Sequence, residues 1–118
     1  MTRLLAALLA LALLAILPST AAADPTARAS KSCSVGNSRS YGTTYVLSIS
    51  VRYVSCRTGR SVVRAFHACR PGKSGHCSRT SGYSCSERRF NKSRQSYDAR
   101  VTCTKGSKVV KHTYTQFL

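Results

Sequence analysis

The residues of this chain best placed to do chemistry are basic, and they fall into two sets. Arg57, Arg60, Arg64 and His67 stand at i, i+3, i+7 and i+10. On a helix turning 100° per residue they lie within about 80° of one another. Arg70 follows at the end of that segment, and Lys105, Lys108 and Lys111 form the second set near the C-terminus. No acid interrupts either set. Rows of this kind attract polyanions, because every anionic group they neutralise releases bound counterions. The chain as a whole has 19 Lys+Arg against 3 Asp+Glu, a formal charge of +16 over 118 residues. Such charge also serves solubility, yet three acids leave most basic groups without an internal partner. Arg57, Arg60, Arg64, Arg70, Lys105, Lys108 and Lys111 are therefore the expected polyanion-binding residues. The expected partner is an anionic polymer or surface outside the cell: an envelope polyanion, acidic polysaccharide, nucleic acid or anionic membrane.

Two other constellations compete with that reading. His67, Cys69, His76 and Cys77 are two thiolates and two imidazoles, a donor set that suits zinc. Their spacings match no common zinc pattern, and an exported chain favours oxidation of the cysteines to a disulfide. Glu87, Arg100 and His112 fall on three successive predicted strands, an inventory for general acid–base cleavage of a phosphodiester. A helix on an antiparallel sheet in a small basic exported chain resembles the microbial guanyl-type ribonucleases, which use a Glu, a His and an Arg in this way. The local motifs of that family are missing, and Arg100 and His112 are expected on opposite faces. No serine sits in a nucleophile elbow, and no motif for a cofactor or a resident metal occurs. The sequence is thus read as a non-enzymatic binding protein, with an antimicrobial role as one version. A protein-binding module or inhibitor presenting the loop Pro71–His76 is the alternative, and a ribonuclease is less favoured.

The elements that must position these residues begin after a leader. Met1-Thr2-Arg3, the apolar run Leu4–Leu17 and the small residues Ala21-Ala22-Ala23 have the order of a secretory signal peptide, cleaved after Ala23. That run is shorter than the roughly 20 apolar residues that span a bilayer. Residues 24–42 are polar and rich in Ser and Gly, a loose arm fastened at Cys33. Residues 43–118 form one domain, expected to be monomeric.

From Tyr45 to Tyr53 apolar residues alternate with polar ones, the period of a half-buried strand with Tyr45, Leu47, Ile49, Val51 and Tyr53 inward. The period then changes. Ser55 is a candidate N-cap, and residues 57–68 place Val62, Val63, Phe66 and Cys69 on one side at helical spacing, with the basic row opposite. Gly59 weakens that helix by up to about 1 kcal/mol, and Arg70-Pro71-Gly72 stops it.

The last third reads as a meander of strands near 83–90, 97–104 and 108–116. A turn at Lys105-Gly106 sets Val101 opposite Val110, Ala99 opposite His112 and Tyr97 opposite Tyr114, with Asp98, Arg100 and Thr102 outward. In the first of these strands strict alternation would bury Glu87 and Arg89, so a bulge or an early end is expected there.

Six cysteines in an exported chain imply three disulfides, each contributing about 2–4 kcal/mol. Cys69–Cys77 closes a short turn-rich loop. The other four allow three connectivities. A five-residue loop centred on Arg94 sets Cys85 opposite Cys103, which leaves Cys33 with Cys56. The fold class is α+β: one amphipathic helix on a small, largely antiparallel sheet in the order β-α-β-β-β.

Three phrases carry a resemblance: V-S-C followed by V-V-R-A-F, then G-Y-S-C, then V-T-C-T-K-G-S-K-V-V. Together, over about residues 43–112, they resemble small cationic, cysteine-containing exported proteins of actinobacteria-like genomes. The resemblance implies the fold and export, and no catalytic activity.

Overall fold

The computed structural model describes residues 15–16 and 29–118. The signal peptide and its cleavage after Ala23 lie outside the described residues. The elements are β1 (Lys31–Cys33), β2 (Tyr45–Arg52), α1 (Cys56–Cys69), β3 (Arg79–Thr80), β4 (Tyr83–Phe90), β5 (Ser96–Lys105) and β6 (Lys108–Phe117). The strands form one antiparallel sheet in the order β1-β2-β6-β5-β4-β3, with α1 packed on one face. The α+β class stands, but among the described residues the sheet has six strands rather than four. The two additions are short edge strands. A three-residue or two-residue strand has too few residues to show an alternation, and short edges are one way a sheet avoids pairing with other chains.

β1 also changes the reading of the arm. Residues 31–33 pair with β2, and Cys33 is bonded to Cys56 at the start of α1. Tyr41 is buried, and its hydroxyl donates to the carbonyl of Val35 at 2.8 Å. From residue 31 onward the segment expected to be loose belongs to the folded unit.

β2 departs from strict alternation. A register shift between Val46 and Ser48 makes Leu47 a bulge residue, so Val46 is 1% exposed and Leu47 59%. One extra residue inverts the phase of everything on one side of it. Ile49 and Val51 keep the inward positions expected of them, while Tyr53 lies beyond the strand, exposed, at φ 60°.

The helix forms as its residues dictate. Ser55 caps it, accepting from the Thr58 amide at 3.1 Å, and Val62, Val63 and Phe66 are buried against the sheet. Gly59 is buried too, and a Cβ there would stand 2.4 Å from Cγ1 of Val51. In an exposed helix, Gly→Ala would stabilise by up to about 1 kcal/mol. Here overpacking reverses the sign. Gly59→Ala is expected to destabilise by about 1–3 kcal/mol, read as a lower urea midpoint with an unchanged slope.

β4 runs without interruption to Phe90, correcting the expected bulge. Glu87 and Arg89 do turn inward, where Arg89 Nε donates to Glu87 at 2.9 Å. The register with β5 sets Cys85 opposite Cys103, and the two are bonded, as are Cys69 and Cys77. The β5–β6 turn is Gly106-Ser107, between paired Lys105 and Lys108, with Gly106 at φ 58°. Relative to the expected turn the pairing is displaced, so Val101 faces His112, Ala99 faces Tyr114 and Tyr97 faces Gln116. Because side chains alternate with period two, this displacement changes partners and leaves every residue on its expected face.

Candidate anion-binding site

The start of α1 and the tip of the β5–β6 hairpin come together. Arg57, Thr58 and Ser61 of the helix, Ser81 before β4, Tyr83 at its start, and Lys105 and Lys108 line one open groove of about 370 Å³. The Cys33–Cys56 bond and the Ser55 cap hold the helix end in place, and the two-residue turn holds the lysines. Lys105 Nζ lies 5.9 Å from the centre of the Tyr83 ring. Gly82 leaves room for the lysine stem: a Cβ there would come within 3.2 Å of Nζ. No carboxylate lines the groove. Three cations, four hydroxyls and an aromatic ring can hold a phosphate, sulfate or carboxylate group and the chain that carries it.

The other expected binding residues lie elsewhere. Arg60 donates to the carbonyl of Ser34 at 3.2 Å, and the Arg64 guanidinium stands 5.1 Å over the Tyr41 ring. Both therefore face the N-terminal segment. Lys111 points from the sheet face turned away from α1. Arg70 is not a surface residue at all: it is 8% exposed. Its guanidinium donates to the carbonyls of Gly75 (3.1 Å) and Lys73, to Gln116 Oε1 (3.2 Å) and to the Tyr97 hydroxyl (2.6 Å).

His67 also leaves the basic row. It lies only about 40° round the helix from Val63, close enough to turn towards the sheet. There its Nε2 meets Nε2 of His112 at 3.0 Å. Arg70 Nη1 lies 3.3 Å from His67 Nδ1. With Arg70 donating to that nitrogen, His67 carries its proton on Nε2 and gives it to His112. The remaining proton of His112 then sits on Nδ1, which is buried without a partner. Burial, then the Arg70 charge, lowers His67 to about 3. Burial, with His67 and Arg70 beside it, holds His112 well below the usual imidazole range.

Glu87 is the hub of an adjoining network. Its side chain is 3% exposed, accepts from Arg89 and from the Tyr114 hydroxyl, and lies 2.7 Å from His76 Nδ1. Burial first, and the bond to Glu87, push the Tyr114 phenol up. Arg89 reaches on to the carbonyls of Ser74 and Gly75, each at 3.0 Å. Arg70 and Arg89 thus clasp the loop 71–76 from beneath while the Cys69–Cys77 bond closes its ends.

The three residues of the ribonuclease inventory are not brought together. Glu87 and His112 face α1 and are buried, whereas Arg100 is on the other face of the sheet and exposed. Cys69 and Cys77 are joined to each other, which removes the thiolates of the zinc alternative. No protein-family model, curated protein or solved structure matches this chain.

Proposed function

We propose that the protein is a secreted, non-enzymatic cationic binder that grips an anionic polymer or surface in the groove between α1 and the β5–β6 hairpin. The observation that carries this reading is the meeting of Arg57 with Lys105 and Lys108 in one acid-free groove. These residues are about fifty apart in the chain and have no ion-pair partner among the described residues. Three disulfides fit an oxidising compartment. No helix among the described residues is long and apolar enough to cross a membrane. Titration of the oxidised protein with a panel of anionic polymers at several salt concentrations tests the reading. Lys105→Ala/Lys108→Ala is expected to weaken binding and to reduce the slope of log K against log salt by about 1.4–1.8, two contacts at about 0.7–0.9 each. An unchanged slope would refute the groove.

A second reading rests on the loop 71–76. Pro71, Gly72, Lys73 and Ser74 are exposed, while the backbone beneath them is clasped by Arg70 and Arg89. A loop ordered before binding loses less entropy on docking, which suits a protein-binding module or inhibitor. Affinity for a protein partner that persists at high salt would favour this reading over the first.

A further inference from the structure

The sheet face turned away from α1 carries a second set of charges. Arg88 of β4 stands directly opposite Arg100 of β5, and both are exposed. Like charges facing each other across an antiparallel pair destabilise it. Neither guanidinium has a carboxylate to offset this, since both ion pairs among the described residues belong to Glu87. With Phe90 the two arginines line an open concavity of about 240 Å³, and the Arg100 guanidinium lies 5.9 Å from the Phe90 ring centre. Arg100 is shared with a neighbouring concavity of about 250 Å³, formed with Ser48, Ser50, Lys111 and Thr113. Asp98, opposite Phe90, is held by Thr115 and Asn91 and faces the same side.

We propose that this face binds single-stranded nucleic acid, with phosphates between Arg88 and Arg100 and beside Lys111, and a base stacked on Phe90. A phosphate between two guanidinium forks accepts paired hydrogen bonds from each and removes the repulsion that the empty pair carries. The aromatic ring explains the choice of polymer. A half-buried phenyl among arginines adds nothing for a plain polyphosphate, but it offers a stacking platform to any base. Asp98 repels phosphate from the Phe90 end, so the backbone keeps to the Arg100–Lys111 side and the base turns towards the ring. Strands β4, β5, β6 and β2 lie side by side, about 14 Å across at 4.7–4.9 Å per interval. That is room for more than one nucleotide, with the Ser and Thr hydroxyls on its path. Among the described residues no element projects from this face to enter a duplex groove. The proposal uses other residues than the α1 groove and stands whether or not that groove binds.

The test is fluorescence anisotropy of a labelled single-stranded oligonucleotide, with inorganic polyphosphate of equal charge as competitor, at several salt concentrations. Wild-type protein should prefer the oligonucleotide. Arg88→Ala/Arg100→Ala should raise its Kd roughly tenfold or more and lower the salt slope by about 1.4. Phe90→Ala should weaken the oligonucleotide roughly tenfold and leave polyphosphate unchanged. No variant should unfold markedly below wild type, since none removes a fully buried side chain. Arg88→Ala/Arg100→Ala, which relieves the repulsion, should unfold at or above the wild-type temperature. Polyphosphate that competes as well as the oligonucleotide itself, with Phe90→Ala without effect, would overturn the nucleic-acid assignment. A loss confined to Lys105→Ala/Lys108→Ala would overturn this face and leave the groove standing. A loss confined to Arg88→Ala/Arg100→Ala would support this face as the site of the oligonucleotide and leave the groove to the other anionic polymers.

Discussion

Between neutral pH and about pH 5 the protein is expected to lose about 2 kcal/mol of stability through His67, with His112 adding in the same direction, because both rings are held neutral in the fold. Each ring is depressed below the value it has in the unfolded chain. Above about pH 6.5 neither state is protonated and the fold keeps its full stability. Below it the unfolded chain takes up protons that the folded chain refuses, so stability falls as pH drops towards the folded value of about 3 for His67. His67 contributes about 1.4 kcal/mol per pH unit in that window, and His112 acts in the same direction. The cause is geometric. The rings meet at 3.0 Å, Phe66 and Tyr114 pack against them, and the Arg70 guanidinium lies 4.9 Å over the Tyr114 ring. A proton added to either ring would place a second cation beside Arg70 with no carboxylate in contact. Asp98, depressed by its bonds to Thr115 and Asn91, adds a loss only at still lower pH, below its usual value. Urea unfolding across pH 7.5 to about 5 checks this. A flat midpoint would show that the pair is not held neutral. Small domains have only about 5–15 kcal/mol in total, so the expected loss is a large share.

Glu87→Ala is expected to cost about 3–5 kcal/mol, the range for removing one partner of a buried ion pair. The substitution leaves Arg89 as a largely buried charge without its carboxylate and strands the Tyr114 hydroxyl. It also releases His76 and slackens the clasp on residues 74 and 75. Glu87→Gln should recover part of the loss, since an amide oxygen can still accept from Tyr114 or Arg89 but carries no charge. The urea midpoint reads both. The same variants separate a structural carboxylate from a general base. A base would lose activity on RNA with little change in stability, whereas this carboxylate should lose stability first.

Much of the fold was legible in local pattern. Val62, Val63 and Phe66 recur at helical spacing behind a Ser55 cap, and those are the residues that pack on the sheet. A loop centred on Arg94 was enough to bring Cys85 to Cys103. That same register sets Arg88 opposite Arg100, so the pair on the open face could have been read from it. Local pattern hides it, because Arg88 lies in the strand whose alternation looks broken. The break was apparent only. Glu87 and Arg89 seemed misplaced on an inward face because the groups that satisfy them come from Tyr114, His76 and the loop carbonyls, far off in the chain.

The sequence by itself determined the helix, the four long strands, most of the faces their side chains take and the Cys69–Cys77 loop, since these follow from periods of 2 and 3.6 and from loop length. It left three connectivities for the other four cysteines, the two short edge strands and the bulge at Leu47 to the tertiary structure. Only the tertiary structure decided which basic residues meet. Arg57, Lys105 and Lys108 share a groove, Arg60 and Arg64 attend the N-terminal segment, and Arg70 is drawn into the interior. The physical reason is that periodicity states whether a side chain points in or out, but not what stands opposite it. That depends on how the helix lies on the sheet and on which residues pair across it. For long, charged side chains such contacts, made across tens of residues, determine whether the charge faces solvent or a buried partner.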